Sequence, residues 1–332
     1  MKAKKVLFSV FVMIVILSLG ISTAGAQEQP LAPMDTTPYP ISPMMESVFT
    51  RLPKFTFTEA PGATKYRIEL YNMHKGIVVY TFTGPDNCTA GECWLKPDIA
   101  LKYLDCAATA GWYSWRVKAR IAGEWQAEYS DPAFFSILSS GFNSTFFTLK
   151  KWSVVFGAPW TIDVTRGFAK TLGMDSTTSS IIQKYWYTDG IVYEVRMKRK
   201  GEPDSSNRLF FLGVTGDPDS GGIWREGYVF DYYNNGVFSF FKQIDWDKTY
   251  FYEEIASAAI VPNGWNKLTV WVKDGDISLW MKGTYLGAVT DTEYTEGCMG
   301  IGMREEDASE KSPLLVDWAT LKYSDTAPYP MP

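Results

Sequence analysis

The chain has 332 residues, a formal net charge of −5, 46% hydrophobic residues and an aromatic share of 16%. That length allows two domains, and with a mild negative charge and scattered basic residues no nucleic-acid partner is expected. Many aromatics, with turn residues recurring every ten or so positions, point to an all-β protein of short strands.

The first residues read as an export signal. MKAKK is a basic lead, VLFSVFVMIVILSLGI is apolar, and Ala24-Gly25-Ala26 supplies a small-residue cleavage site. Residues 1–26 are therefore expected to be a signal peptide, with maturation at Gln27. No other stretch is apolar for long enough to span a bilayer, so the protein is expected to be secreted or held at the cell surface, with no membrane span after cleavage. Export makes the four cysteines candidates for disulfides, and four cysteines allow three full pairings that sequence does not separate. The preferred pair is Cys88 with Cys93, which flank a glycine in NCTAGEC. Cys298, in the apolar run GCMGIGM, is expected to be buried as a small hydrophobe. A zinc site is not expected, because the cysteine spacing lacks a second matched pair and the only histidine, His74, sits in the turn-like YNMHKG.

Residues 27–42 are proline-rich and polar and read as a lead-in. Over residues 43–138 the pattern becomes short strands. KFTFT is followed by the turn PGA and by KYRIELY, in which Tyr66, Ile68 and Leu70 alternate with Lys65, Arg67 and Glu69. GIVVYTFTG and GWYSWRVKARIAG are further strands, and WQAEYSDPAFFSI closes the set. The runs PKFTFTEAPGATKYRIELYN and WYSWRVKARIAGEWQAEYSDPAFFSI resemble a fibronectin type III domain of exported bacterial proteins. Phe57 stands where such domains usually carry tryptophan, and Tyr113 matches a tyrosine that often bonds to backbone. The resemblance implies an immunoglobulin-like sandwich acting as a spacer or an interaction surface.

Residues 139–148 read as a linker, and residues 149–325 are again strand-rich. TDGIVYEVRMKRKG alternates, and its basic end, Lys198-Arg199-Lys200, reads as a solvated strand end. GYVFDYYNNGVFSFFK is an aromatic hairpin around Asn235-Gly236. NKLTVWVKDGDISLWMKG is a second hairpin turning at Asp274-Gly275. In that hairpin Leu268, Val270, Val272, Ile277, Leu279 and Met281 share one face, and Trp271 and Trp280 lie on the other. GTYLGAVTD, GCMGIGM and PLLVDWATLKY follow, and 326–332 is a tail. The ordered runs from GYVFDYYNNGVFSFFK to LLVDWATLKY resemble the concanavalin A-like lectin/glucanase superfamily in its laminin G-like branch. That resemblance implies a jelly roll of two packed antiparallel sheets.

Glucanases fall within that superfamily, and their chemistry needs two carboxylates across the scissile bond. The Glu-x-Asp-x-x-Glu alternation that would supply them is missing. Glu253 and Glu254 are adjacent and would face opposite ways, while Glu194 and Asp317 stand alone. No serine triad or nucleophile elbow is recognisable, so the protein is expected not to be an enzyme. No cofactor is expected. Asp217 and Asp219, in TGDPDSGGIW, form an oxygen-rich loop of the kind that holds calcium, but without the further carboxylates of a full calcium site.

Binding remains. An indole ring complements the apolar face of a sugar and adds an N–H donor. Nine of the thirteen tryptophans lie in the C-terminal part. Trp265 is expected to be structural. Trp271 and Trp280, off the aliphatic face, are the candidates for glycan contact, with Trp224 and Arg225 at a loop rim. Packing under another element is the competing role for Trp271 and Trp280. The expected function is non-catalytic extracellular recognition, with a glycan as the partner. The alternatives are a structural or adhesive protein that binds extracellular proteins and, last, an enzyme acting on glycosides.

Overall fold

The computed structural model describes residues 37–42, 47–49, 53–72, 76–83, 87–96, 106, 112–172, 178–199, 201–215, 224–245, 247–304 and 313–331. The expected signal peptide, His74, Asp217, Asp219 and Trp246 lie outside them. Among the described residues the elements are β-strands, and none is a helix long and apolar enough to cross a membrane. The protein is all-β and is built of sandwiches.

The first sandwich packs a four-stranded sheet, in the order Pro40–Ser42, Phe55–Thr58, Glu92–Leu95 and Cys88–Thr89, against a second sheet. The second runs Ser47–Phe49, Ala133–Ile137, Trp112–Ile121, Ala63–Asn72 and Gly76–Thr83, with Glu124–Trp125 beside Trp112–Ile121. Alternation along these strands sends Phe55, Phe57, Tyr66, Ile68, Leu70, Trp115, Val117 and Phe135 into one core. The Tyr66 hydroxyl accepts the Ala60 N–H at 2.9 Å. Tyr113 is stacked on Phe135 at 5.2 Å.

The second sandwich has two antiparallel eight-stranded sheets. One runs Thr161–Asp163, Phe168–Thr171, Leu314–Tyr323, Ile191–Arg199, Asn266–Lys273, Asp276–Met281 and Thr284–Thr290. The other runs Trp152–Phe156, Thr178–Gln183, Glu296–Arg304, Ser206–Thr215, Trp224–Tyr233, Val237–Ile244 and Asp247–Ala256. Gly141–Ser144 pairs with Leu314–Tyr323, and Tyr187–Thr188 with Glu296–Arg304. The core between the sheets takes the aliphatic stripe of the Asp274-Gly275 hairpin together with Leu209, Phe211, Tyr228, Phe230, Met299 and Ile301.

The hairpin register matches the alternation, with Trp271 opposite Ser278 and Trp280 opposite Thr269. Its turn places Asp274 and Gly275 at φ 52° and 85°, both left-handed as a two-residue turn of this twist requires. Gly236 reaches φ 89°, and its N–H bonds to the Tyr233 carbonyl at 3.1 Å.

Two expectations are corrected. Residues 139–148 are not all linker: Gly141–Ser144 is a strand of the first sheet, and Phe142 and Phe146 enter the core. Gly141 permits this approach, since a Cβ there would sit 2.3 Å from the Leu321 carbonyl oxygen. Nor is Cys298 a free thiol. Cys88 pairs with Cys93 as expected, but Cys298 is bonded to Cys106, 192 residues away in sequence. Two disulfides fit an oxidising compartment.

Candidate functional site

The polar side of the Asp274-Gly275 hairpin lies beneath the chain's own last residues. Trp280 is 0% exposed. Its ring meets Tyr329 edge-on at 6.0 Å and Tyr285 at 5.9 Å, and its Nε1–H donates to the Pro330 carbonyl at 3.4 Å. Trp271 donates its Nε1–H to the Ser324 carbonyl at 3.1 Å. Residues 324–331 therefore form a strap across this face, and a sugar reaching Trp280 would have to displace Tyr329 and Pro330. The competing role, packing under another element, describes Trp280; Trp271 is bonded to the strap but stays partly exposed.

Glu194 anchors the strap. Its carboxylate accepts from the Tyr329 hydroxyl at 2.8 Å and from Thr269 Oγ1 at 3.0 Å, and Lys267 Nζ lies 3.2 Å away. Lys267 also bonds to the Tyr329 hydroxyl. Burial works against ionisation of Glu194, but the Tyr329 bond and the Lys267 charge outweigh it and hold the carboxyl below its ordinary value of 4.5. A carboxyl lowered in the folded state stabilises above its unfolded value, and that contribution is lost as pH falls through the folded value. Acidification below about pH 4.5 is therefore expected to loosen the strap and red-shift tryptophan emission. In Glu194→Gln that pH-dependent step should disappear, and an unchanged step would show that another group drives it.

Asp317 is ion-paired with Arg196 on the same face, and Trp265 lies under the Arg196 guanidinium at 4.7 Å. Trp265 also meets the Phe168 ring at 5.2 Å.

Trp224 is not a rim residue. It is 2% exposed, stacks on Phe210 at 4.6 Å and 3°, and donates its Nε1–H to Ser180 Oγ at 3.2 Å. Gly300 makes room for it, since a Cβ there would lie 2.1 Å from the indole. Arg225 is exposed and pairs with Asp245 and, at 3.6 Å, with Glu226. The four predicted contact residues are thus divided among the strapped face, an apolar packing cluster and a surface ion pair, with no common surface among them.

The outer face of the other sheet carries rows of polar, charged and aromatic residues that the sequence did not reveal, most of them buried. Its strands send Leu209, Phe211, Phe230, Tyr232, Ile301 and Met303 inward, so the alternate residues point away from the core. Register aligns those outward residues in rows. One row is Ser180, Gly302, Arg208, Asp231 and Ser239. On one side lies Ile182, Gly300, Phe210, Val229, Phe241 and Tyr250. On the other lies Thr178, Arg304, Ser206 and Tyr233. A charged row thus runs between an apolar, aromatic one and a polar one.

Asp231 is the unusual member. It is fully buried, with Arg208 Nε 3.2 Å from its Oδ2. Among the described residues neither of its oxygens has a hydrogen-bond partner of good geometry. Arg208 directs its hydrogen bonds elsewhere, from Nε to Ser206 Oγ at 3.2 Å and from Nη1 to Thr178 Oγ1 at 3.0 Å. Burial pushes the Asp231 carboxyl up, against the opposing charges of Arg208, Lys248 and Arg304. Burial, with the Asp231 charge next in importance, also pushes up the neighbouring Tyr233 hydroxyl. Tyr250, 38% exposed, and Lys248 come from the edge strand, where Lys248 Nζ stands 4.7 Å from the Phe241 ring. A buried carboxyl short of well-formed hydrogen bonds gains from a ligand that brings donors. Among the described residues no group of three potential metal ligands gathers.

No family model matches the sequence, and no curated protein matches it. Solved structures do. The carbohydrate-binding module CBM66 from Bacillus subtilis is 18% identical and aligns with a TM-score of 0.41 over 52% of this chain and 95% of its own. A β-1,3-1,4-glucanase (lichenase) from a mouse hindgut metagenome is 12% identical, with a TM-score of 0.43 over 55% and 99%. A Bacillus subtilis protein of unknown function with a galectin-like fold is 12% identical, with a TM-score of 0.44 over 56% and 97%. At these identities no residue role passes to this chain.

Proposed function

We propose that the protein is a non-catalytic extracellular carbohydrate-recognition protein that binds through the outer face of the Asp231-bearing sheet. The observation that carries this reading is the buried Asp231 carboxyl, whose close contact at 3.2 Å is the Arg208 guanidinium and whose oxygens have no hydrogen bond of good geometry among the described residues, beside the partly exposed ring of Tyr250. Sugar hydroxyls donate in pairs to a carboxylate, and the apolar face of a pyranose stacks on a tyrosine. Tyr250 and Lys248 both come from the edge strand Asp247–Ala256. The first sandwich, read as fibronectin type III-like, would serve as a spacer.

The three rows hold one carboxylate, whereas hydrolysis by paired acids takes two, about 5–9.5 Å apart. The other isolated acids, Glu194 and Asp317, are held in ion pairs on the opposite face. Both points support recognition without cleavage.

Titration of the full chain against a panel of neutral oligosaccharides tests the reading. A bound sugar should lose tenfold or more in affinity with Asp231→Asn or Tyr250→Ala, and incubation should release no new reducing ends. Failure of the parent protein to bind any of the panel, or full affinity in both variants, would overturn it.

A further inference from the structure

We propose that the first sandwich carries its own binding site, for an acidic polysaccharide chain bearing uronate carboxylates. The site lies on the outer face of the sheet formed by Ala63–Asn72 and Trp112–Ile121. It is independent of the Asp231 face, which belongs to the other sandwich.

The ladder between these strands sets Lys65 opposite Arg120, and Arg67 opposite Lys118. Glu69 opposite Arg116 is the one opposite-charge pair, closed at 2.7 Å. Like charges directly opposed across a sheet destabilise it, so two such pairs in succession act against the fold. Aromatic rings partly offset that cost. Arg67 lies over Trp125 at 4.4 Å, while Arg116 and Lys118 share the ring of Tyr129 at 4.6 and 4.4 Å. The rings hold the cations in place without neutralising them, and the outcome is a fixed positive field on an otherwise acidic protein.

The basic rows lead into a cleft of about 280 Å³ lined by Glu69, Tyr71, Ser114, Trp115, Arg116 and Pro132. Register places Tyr71 opposite Ser114, and Ser114 opposite Phe134. Two aromatics, 43% and 46% exposed, therefore stand on either side of a small residue. That arrangement suits a sugar ring. The cleft also contains Glu69, an acceptor that sugar hydroxyls can satisfy. The sugar-phosphate backbone of DNA has no hydroxyl donor to offer it, whereas every ring of an acidic saccharide does, so the mixed lining favours the saccharide. The uronate carboxylates would then follow Arg67, Lys118, Lys65 and Arg120.

The test is retention of the full chain on immobilised polygalacturonate, with dextran, an oligodeoxynucleotide and polyglutamate as comparisons. Binding should weaken steeply with added salt. It should fall tenfold or more in Arg67→Ala/Lys118→Ala, and severalfold in Tyr71→Ala, a surface change that leaves the ladder intact. Asp231→Asn should bind polygalacturonate as the parent does, so that failure of this proposal and failure of the Asp231 reading stay distinct. Absence of retention by the parent protein would overturn the proposal. So would undiminished retention of the double variant and of Tyr71→Ala, or equal retention on the oligodeoxynucleotide or polyglutamate.

Discussion

Cys106→Ser/Cys298→Ser should melt well below the parent protein, with a loss of several kcal/mol in stability. The cross-link spans 192 residues, and loop-closure entropy for a loop of that length comes to about 5 kcal/mol. The Cys88–Cys93 bond spans five residues, for which the same relation gives about 2 kcal/mol. Removing the long bridge should therefore lower the melting temperature by more than removing the short one. Packing adds to the difference, because Cys298 is buried among Ile182, Phe210, Trp224 and Val229, and Cys106 packs against that cluster. The Cys106 N–H also bonds to the Lys184 carbonyl at 2.9 Å. Differential scanning calorimetry of the two double variants decides the point, and equal melting temperatures would mean that the long bridge contributes no more than the short one.

That bridge also marks the boundary of what sequence could tell. The Cys88–Cys93 pairing was legible because a short loop around a glycine brings its own ends together. The Cys106–Cys298 pairing depends on how two sandwiches fold, and no local pattern encodes it. The Asp274-Gly275 hairpin was legible for the opposite reason: a period of two assigns faces without knowledge of the partner strands. The Asp231 row was not, because Gly302, Arg208, Asp231 and Ser239 come from four strands whose alignment is set by register and bulges. The motif GCMGIGM signalled a strand, but not that Gly300 clears the space for Trp224. Asp231 itself sits in the run YVFDYYNNG, where its aromatic neighbours hid a buried charge. The strap was the least legible of all, since SDTAPYPM has no periodicity and bonds through Tyr329, Trp271, Trp280 and isolated carbonyls.

Trp280→Ala should be among the most destabilising single substitutions on this sandwich, at about 3–5 kcal/mol, and should leave sugar binding unchanged. The indole is fully buried between Tyr285 and Tyr329, so truncation opens a cavity and also removes the donor to the Pro330 carbonyl. The ligand-platform role predicts the opposite pattern, with stability kept and affinity lost. Tyr329→Ala separates the causes further. It takes away the Glu194 and Lys267 contacts and one wall of the Trp280 pocket while the indole stays in place. Its stability cost should be smaller than that of Trp280→Ala, and its emission should be red-shifted at neutral pH, resembling the parent protein in acid. If Tyr329→Ala gained affinity for a sugar, the strap would be a cover over a latent binding face. If it lost only stability, the strap is a structural closure of the sheet, and that is the result expected where Glu194 and Lys267 of the sheet and Tyr329 of the strap already satisfy one another.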